Sequence, residues 1–153
     1  MPFLTPEELK TQLQAHQRLM GLDLGEKTIG LALSDKGLMV ATPYTTIQRV
    51  KFKPDARQII ELIQEYEVQA LVMGWPLNMD GSEGPRCQST RQFVKNFLSF
   101  HDMPIILWDE RLSTKAMEDV MISFDVSRSK RADAIDKAAA SFILQGFLES
   151  LRF

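Results

Sequence analysis

Apolar positions along this chain fall into two kinds of run. Arg18–Asp23 and Thr28–Ser34 are short, apolar and partly β-branched, and the Leu24-Gly25-Glu26-Lys27 link between them predicts an antiparallel hairpin with Gly25 in the turn. A third strand is predicted around Thr45–Arg49, after the Thr42-Pro43 break. Lys53-Pro54-Asp55 opens a helix in which Ile59, Ile60, Leu62 and Ile63 recur at helical spacing, and Ala70–Met73 is a short apolar strand. The stretch from Gly74 to Gly84 is too polar and glycine-rich for core. Arg86–Phe100 reads as a helix with Phe93, Val94, Phe97 and Phe100 on one stripe, Pro104–Trp108 as a strand, and Ser113 as the cap of a further helix. A polar segment, Ser123–Arg131, precedes a last helix over Ala132–Glu149 with Ala138, Ala139, Phe142, Ile143 and Phe147 on its apolar face.

Ahead of these elements, Thr5-Pro6-Glu7-Glu8 combines a cap residue with proline at the first helical position and predicts a helix to about His16. Residues 1–17 are expected to form a helical extension, and residues 18–153 one domain. Three early strands followed by βα alternation imply an α/β domain, a mixed sheet flanked by helices.

Composition changes this picture little. Apolar residues at 44% and charged residues at 25% are ordinary for a globular domain. The N-terminal residues lack the basic start and apolar core of a signal peptide, and no apolar run approaches the roughly 18–20 residues of a membrane span, so a cytoplasmic location without membrane attachment is expected. Cys87 is the single cysteine, which excludes an internal disulfide and a cysteine-cluster metal site. A net charge of −2 argues against broad, nonspecific nucleic-acid binding. Charge is nevertheless uneven: Arg128, Lys130, Arg131 and Lys137 crowd one stretch, which is either a phosphate-contacting rim or a solvated basic turn before the helix.

Acidic residues stand where a sheet enzyme gathers a site: Asp23 ends the first strand, Asp109-Glu110 ends a later one, and Asp136 lies in the last helix. Side chains alternate across a strand, so only one of Asp109 and Glu110 joins Asp23 directly. Asp136 sits about a turn or less from the helix's apolar stripe and is expected to point partly toward the sheet. Carboxylates brought together repel unless cations lie between them, and hard oxygen ligands select Mg²⁺ or Mn²⁺. A pair of such ions, roughly 3.5–4 Å apart, suits phosphodiester hydrolysis without a His, Cys or Ser nucleophile. Taken singly, each acid is more often a cap, a salt-bridge partner or a solvated group. His16 and His101 read as surface residues.

Four segments in order, Leu19–Asp35 (LMGLDLGEKTIGLALSD), Met73–Pro85 (MGWPLNMDGSEGP), Asp109–Thr114 (DERLST) and Ile135–Ala140 (IDKAAA), resemble the YqgF family, whose members are described as pre-16S rRNA nucleases or Holliday junction resolvases. The resemblance runs from about Arg18 to Phe147 and implies a ribonuclease H-like fold with a mixed five-stranded sheet. It also implies that Asp23, Glu110 and Asp136 are the catalytic and metal-holding acids, and it selects Glu110 over Asp109. The activity so implied is metal-dependent cleavage of structured nucleic acid, with 5′-end processing of pre-16S rRNA in ribosome biogenesis preferred. The alternatives are a junction resolvase, which would act as a homodimer where RNA maturation needs only a monomer, or a non-catalytic module that binds RNA or the ribosome. Under the resemblance Lys27 or Arg111 would hold a phosphate, Thr28 would offer a hydroxyl, and Asn78 and Ser82 would donate hydrogen bonds from a loop over the cleft. A plain hairpin, a surface ion pair and a structural loop explain the same residues. Trp75 would stack a base or cap the core. Asp23-Leu24-Gly25 before a hairpin also resembles the first phosphate loop of the actin and hexokinase superfamily, whose paired lobes exceed this length.

Overall fold

A computed structural model describes residues 6–14, 16–78, 80–109 and 128–151, with the side chains of Pro6 and of residues 128–136 left aside. Among them the elements are α1 (Pro6–Gln12), β1 (Arg18–Leu24), β2 (Thr28–Ser34), β3 (Ala41–Gln48), α2 (Phe52–Glu65), β4 (Val68–Trp75), α3 (Pro85–Phe100), β5 (Ile105–Asp109) and α4 (Arg128–Ser150). The strands form one five-stranded sheet in the order β3-β2-β1-β4-β5. β1 pairs antiparallel with β2 and parallel with β4, so the expected mixed sheet is the observed one.

Strand alternation divides the core. Met20, Leu22 and Leu24 of β1 join Leu31, Leu71, Met73 and Ile105 under α2 and α3, which contribute Ile59, Ile63, Phe93 and Phe97. Leu19, Ala32, Ala70, Val72 and Ile106 face the other way and pack under Ala140, Ile143, Leu144, Phe147 and Leu148 of α4. Burial on both faces explains why β1 and β2 read as continuous apolar runs.

α4 lies directly on β1. A Cβ added to Gly21 would stand 2.6 Å from the Ala140 carbonyl oxygen and 2.8 Å from the Leu144 Cβ, so only glycine admits this approach. Of the expected apolar face, Ala138, Ala139, Ile143 and Phe147 are buried, joined by Ala140, Leu144 and Leu148, while Phe142 is turned outward at 45% exposure.

Several boundaries differ from those predicted, each for a tertiary reason. β3 begins at Ala41 and runs through Pro43, because β3 is an edge strand and its register shifts there, with Leu31 opposite Thr45 and Ala32 opposite Pro43. β4 continues through Gly74 and Trp75, which pair with Trp108 and Asp109. α1 ends at Gln12 because the Gln69 side chain of β4 captures the next backbone, accepting from Gln14 N at 2.8 Å and donating to the carbonyls of Gln14 and Gln17 at 3.1 Å. His16 follows with φ of 70°, outside the helix. Leu9 of α1 is 1% exposed and belongs to the α4-side cluster. No helix among the described residues is long and apolar enough to cross a membrane.

Candidate active site

Asp23 is the fixed point of the site. Alternation along β1 sends it to the face of Leu19 and Gly21, beneath α4, and it is buried to 9% exposure next to the strand's carboxyl end. Its partner across the β1–β2 ladder is Gly30, which puts no side chain beside the carboxylate at that rung. Nearly buried carboxylates demand compensating hydrogen bonds or cations.

Position 136 is four residues before Ala140 and eight before Leu144, so the three share one helix face. From Ala140 to position 136 is about 6 Å along a helix axis; from Gly21 to Asp23 is about 6.6 Å along a strand. α4 therefore carries position 136 about one helical turn ahead of the contact between Ala140 and Gly21.

Asp109 goes elsewhere. It follows Ile105 and Leu107 to the α2/α3 side of the sheet, opposite the face of Asp23. Glu110 and Arg111 lie outside the described residues, as does the helix expected after Ser113. Among the described residues no three His, Cys, Asp or Glu side chains form a metal-holding group.

Around this end of the sheet, Lys27 is exposed at the hairpin tip and its carbonyl accepts from Arg49 N at 2.8 Å. Thr28 is half-buried, and its carbonyl accepts from Gly25 N at 2.9 Å. Asn78 and Ser82 are turned on their own loop: Asn78 Nδ2 donates to Ser82 Oγ at 3.0 Å and Ser82 Oγ donates to Asp80 at 2.6 Å, which commits the serine's single hydroxyl proton. Trp75 is half-buried with the Arg91 guanidinium 5.2 Å above its ring, and Arg91 also pairs with Glu83 at 2.8 Å. One ring face is therefore covered, which favours the core role. Arg128, Lys130 and Arg131, expected in a polar turn, are in the first turns of α4. Cations there oppose the helix dipole, so the stretch reads as non-helical from local rules.

Two residues that sequence patterns do not single out, Arg49 and Arg86, both line the cleft beside Leu24 and Gly25. Arg49 Nη1 donates to the Gly25 carbonyl and Arg86 Nη2 to the Leu24 carbonyl at 3.4 Å. Their positions just after β3 and at the start of α3 are the only sequence signal, and nothing local joins them.

The architecture, five mixed strands with Asp23 at the central carboxyl end, is the ribonuclease H-like fold of RuvC-type resolvases. It superposes on T. thermophilus RuvC in complex with Holliday junction substrate with a TM-score of 0.56 over 90% of this chain and 97% of that one, at 12% identity, a likeness of fold alone. By sequence the chain belongs to the RuvX family, described as Holliday junction resolvase, which matches residues 17–150. It is also similar to proteins named "Putative pre-16S rRNA nuclease": 55% identical to that of Rhizobium meliloti (strain 1021) and 57% to that of Sinorhizobium medicae (strain WSM419), each over 99% of this chain and 92% of the relative.

Proposed function

We propose that the protein is a divalent-metal-dependent nuclease that hydrolyses phosphodiester bonds in structured nucleic acid, and that its substrate is the 5′ end of pre-16S rRNA in the cytoplasm. The observation that carries this reading is the buried carboxylate of Asp23, beside Gly30 at the carboxyl end of the central strand. The substrate choice follows the names of the relatives.

Asp23, Glu110 and Asp136 are assigned as the acids that hold Mg²⁺ or Mn²⁺. The donor chemistry fits: the one carboxylate of the three whose surroundings are described is a hard oxygen donor, largely withdrawn from water, where charge compensation is worth most. When bound, such ions stabilise the charge that develops on the phosphodiester and supply a nucleophile at neutral pH. Glu110 is preferred to Asp109 because Asp109 faces the opposite side of the sheet from Asp23. The β1 ladder holds Asp23, and the Gly21 contact sets the height of α4. Lys27 at the hairpin tip, together with Arg111 and the basic first turns of α4, is assigned to phosphate contact, Thr28 to a hydroxyl contact.

A four-way DNA junction is the second reading, favoured by the family description. The test is cleavage of a structured pre-rRNA and of a four-way junction, side by side with Mg²⁺ or Mn²⁺, for the wild type and Asp23→Asn. Cutting of the RNA that is lost in the variant and on adding EDTA is expected. Cutting of the junction alone would reassign the substrate, and cutting of neither by a folded protein that still binds RNA would replace the nuclease with a binding module.

A further inference from the structure

The turn after Asp23 carries a second feature on the opposite side of the sheet. Glu26, Arg49, Arg86, Ser89 and Thr90, with Leu24, Gly25 and Pro85, line a cleft of about 160 Å³. At roughly 30 Å³ per water it has room for about five waters, or for one tetrahedral anion and part of its hydration shell. Three strands of chain build it: the hairpin turn, the end of β3 and the start of α3.

Each arginine is held to the hairpin by a backbone carbonyl, Arg49 to Gly25 and Arg86 to Leu24. Arg49 also stacks over Phe93, with its guanidinium 6.0 Å from the ring centre. Arg49 has no carboxylate partner among the described residues. Its carbonyl and aromatic contacts position the Arg49 guanidinium without neutralising it, and a guanidinium has five N–H donors. Arg86 opens the 16-residue α3 just after Pro85, so the positive end of that helix faces the same space. Ser89 and Thr90 add hydroxyl groups to the wall. Two guanidinium groups against the one carboxylate of Glu26, with a helix start and hydroxyls around a small cleft, suit a tetrahedral oxyanion.

We infer that the Arg49–Arg86 cleft binds a backbone phosphate of the nucleic-acid strand, at a subsite separate from the Asp23 face. Its identification as a nucleic-acid phosphate rests on the nuclease reading above, whereas its selectivity for a phosphate group does not. Leu24 lies next to Asp23 in β1 and points to the other side of the sheet, so a strand held here wraps the carboxyl end of β1. The phosphate would then anchor the substrate without touching the metal-holding acids.

The experiment is a titration of the whole protein with inorganic phosphate, followed by NMR at the Arg49 and Arg86 side-chain Nε–H groups and the Ser89 and Thr90 amides. Saturable shifts at these groups are expected, lost in Arg86→Gln and weakened in Arg86→Lys, which keeps the charge but not the fork. Arg49→Lys gives the same comparison without removing the cation that braces Gly25. Absent shifts, or shifts of equal size in wild type and variants, would overturn the site. The second measurement is the salt dependence of binding to a single-stranded RNA, whose slope is expected to fall by about 0.7 in Arg86→Gln, the loss of one phosphate contact. An unchanged slope would leave an anion site that the nucleic acid does not use and would overturn the inference. A protein that cuts neither RNA nor junction but shows the phosphate shifts and the slope change loses the nuclease reading and keeps the subsite. One that cuts RNA without the shifts loses the subsite alone.

Discussion

Replacing Gly21 with alanine tests the contact on which both fold and site depend. The new methyl would lie 2.6 Å from a backbone oxygen of α4 and 2.8 Å from a Cβ, and neither atom is freed by a rotamer change. An ordinary carbon–oxygen contact is about 3.3–3.6 Å, so α4 must lift by about 0.7–1 Å. Overpacking of this kind costs roughly 1–3 kcal/mol, and two rigid contacts on one helix place it at the upper end. The lower backbone entropy of alanine in the unfolded chain returns about 0.5–1 kcal/mol, leaving a loss of about 2 kcal/mol. For a domain of this size that is a fall in Tm of about 4–8 °C, read by circular dichroism. Lifting α4 also displaces position 136, and with Asp136 acting beside Asp23 as proposed, a displacement near 1 Å is expected to lower cleavage by about 100-fold at a temperature where the variant is still folded. Gly146→Ala is the control, since its methyl meets the Trp108 side-chain nitrogen at 2.9 Å rather than backbone, and helix propensity gains about 1 kcal/mol. A Gly21→Ala protein that melts with the wild type and cleaves at the same rate would refute the reasoning.

Other outcomes follow from single contacts. Ser34 is 2% exposed and its hydroxyl accepts from Leu19 N at 2.8 Å, so Ser34→Ala should cost about 1–3 kcal/mol in urea unfolding; no shift of the midpoint would mean that another acceptor replaces it. Asp35 accepts from the Val40 and Met39 amides, and the Val40 bond, opposed by desolvation, leads the causes that hold its carboxyl below the usual 3.8. With a depressed folded pKa, the stabilisation is present above the unfolded value and is lost as pH falls through the folded one. The Tm difference between wild type and Asp35→Asn should therefore be seen at neutral pH and vanish in acid; a difference constant with pH would contradict it. Replacing Arg128 and Lys130 together should flatten the salt dependence of RNA binding, and an unchanged slope would remove the basic first turns of α4 from the interface.

The α/β order and the strand ends near Asp23 were legible because β1 and β2 are buried on both faces and so appear as unbroken apolar runs. Pro43 and the Gly74-Trp75 pair were read as breaks because local rules know nothing of an edge position or of a neighbouring strand that extends β4 to meet β5. The same limit misplaced the start of α4, where four residues with three cations were read as a turn. Arg49 and Arg86 meet only because β3 and α3 converge on one hairpin, so no window of sequence contains their cleft.

By itself the sequence determined the order of the strands and helices among the described residues, the acids that are candidates for metal, and the family, since periodicity and ordered motifs are local properties of the chain. Tertiary structure alone decided that Asp23 and Asp109 face opposite sides, that α4 rests on Gly21 with Phe142 outside, and that the Asn78 and Ser82 donors close on their own loop. Those outcomes depend on which surfaces pack together and how closely, and packing is a relation between segments far apart in the chain.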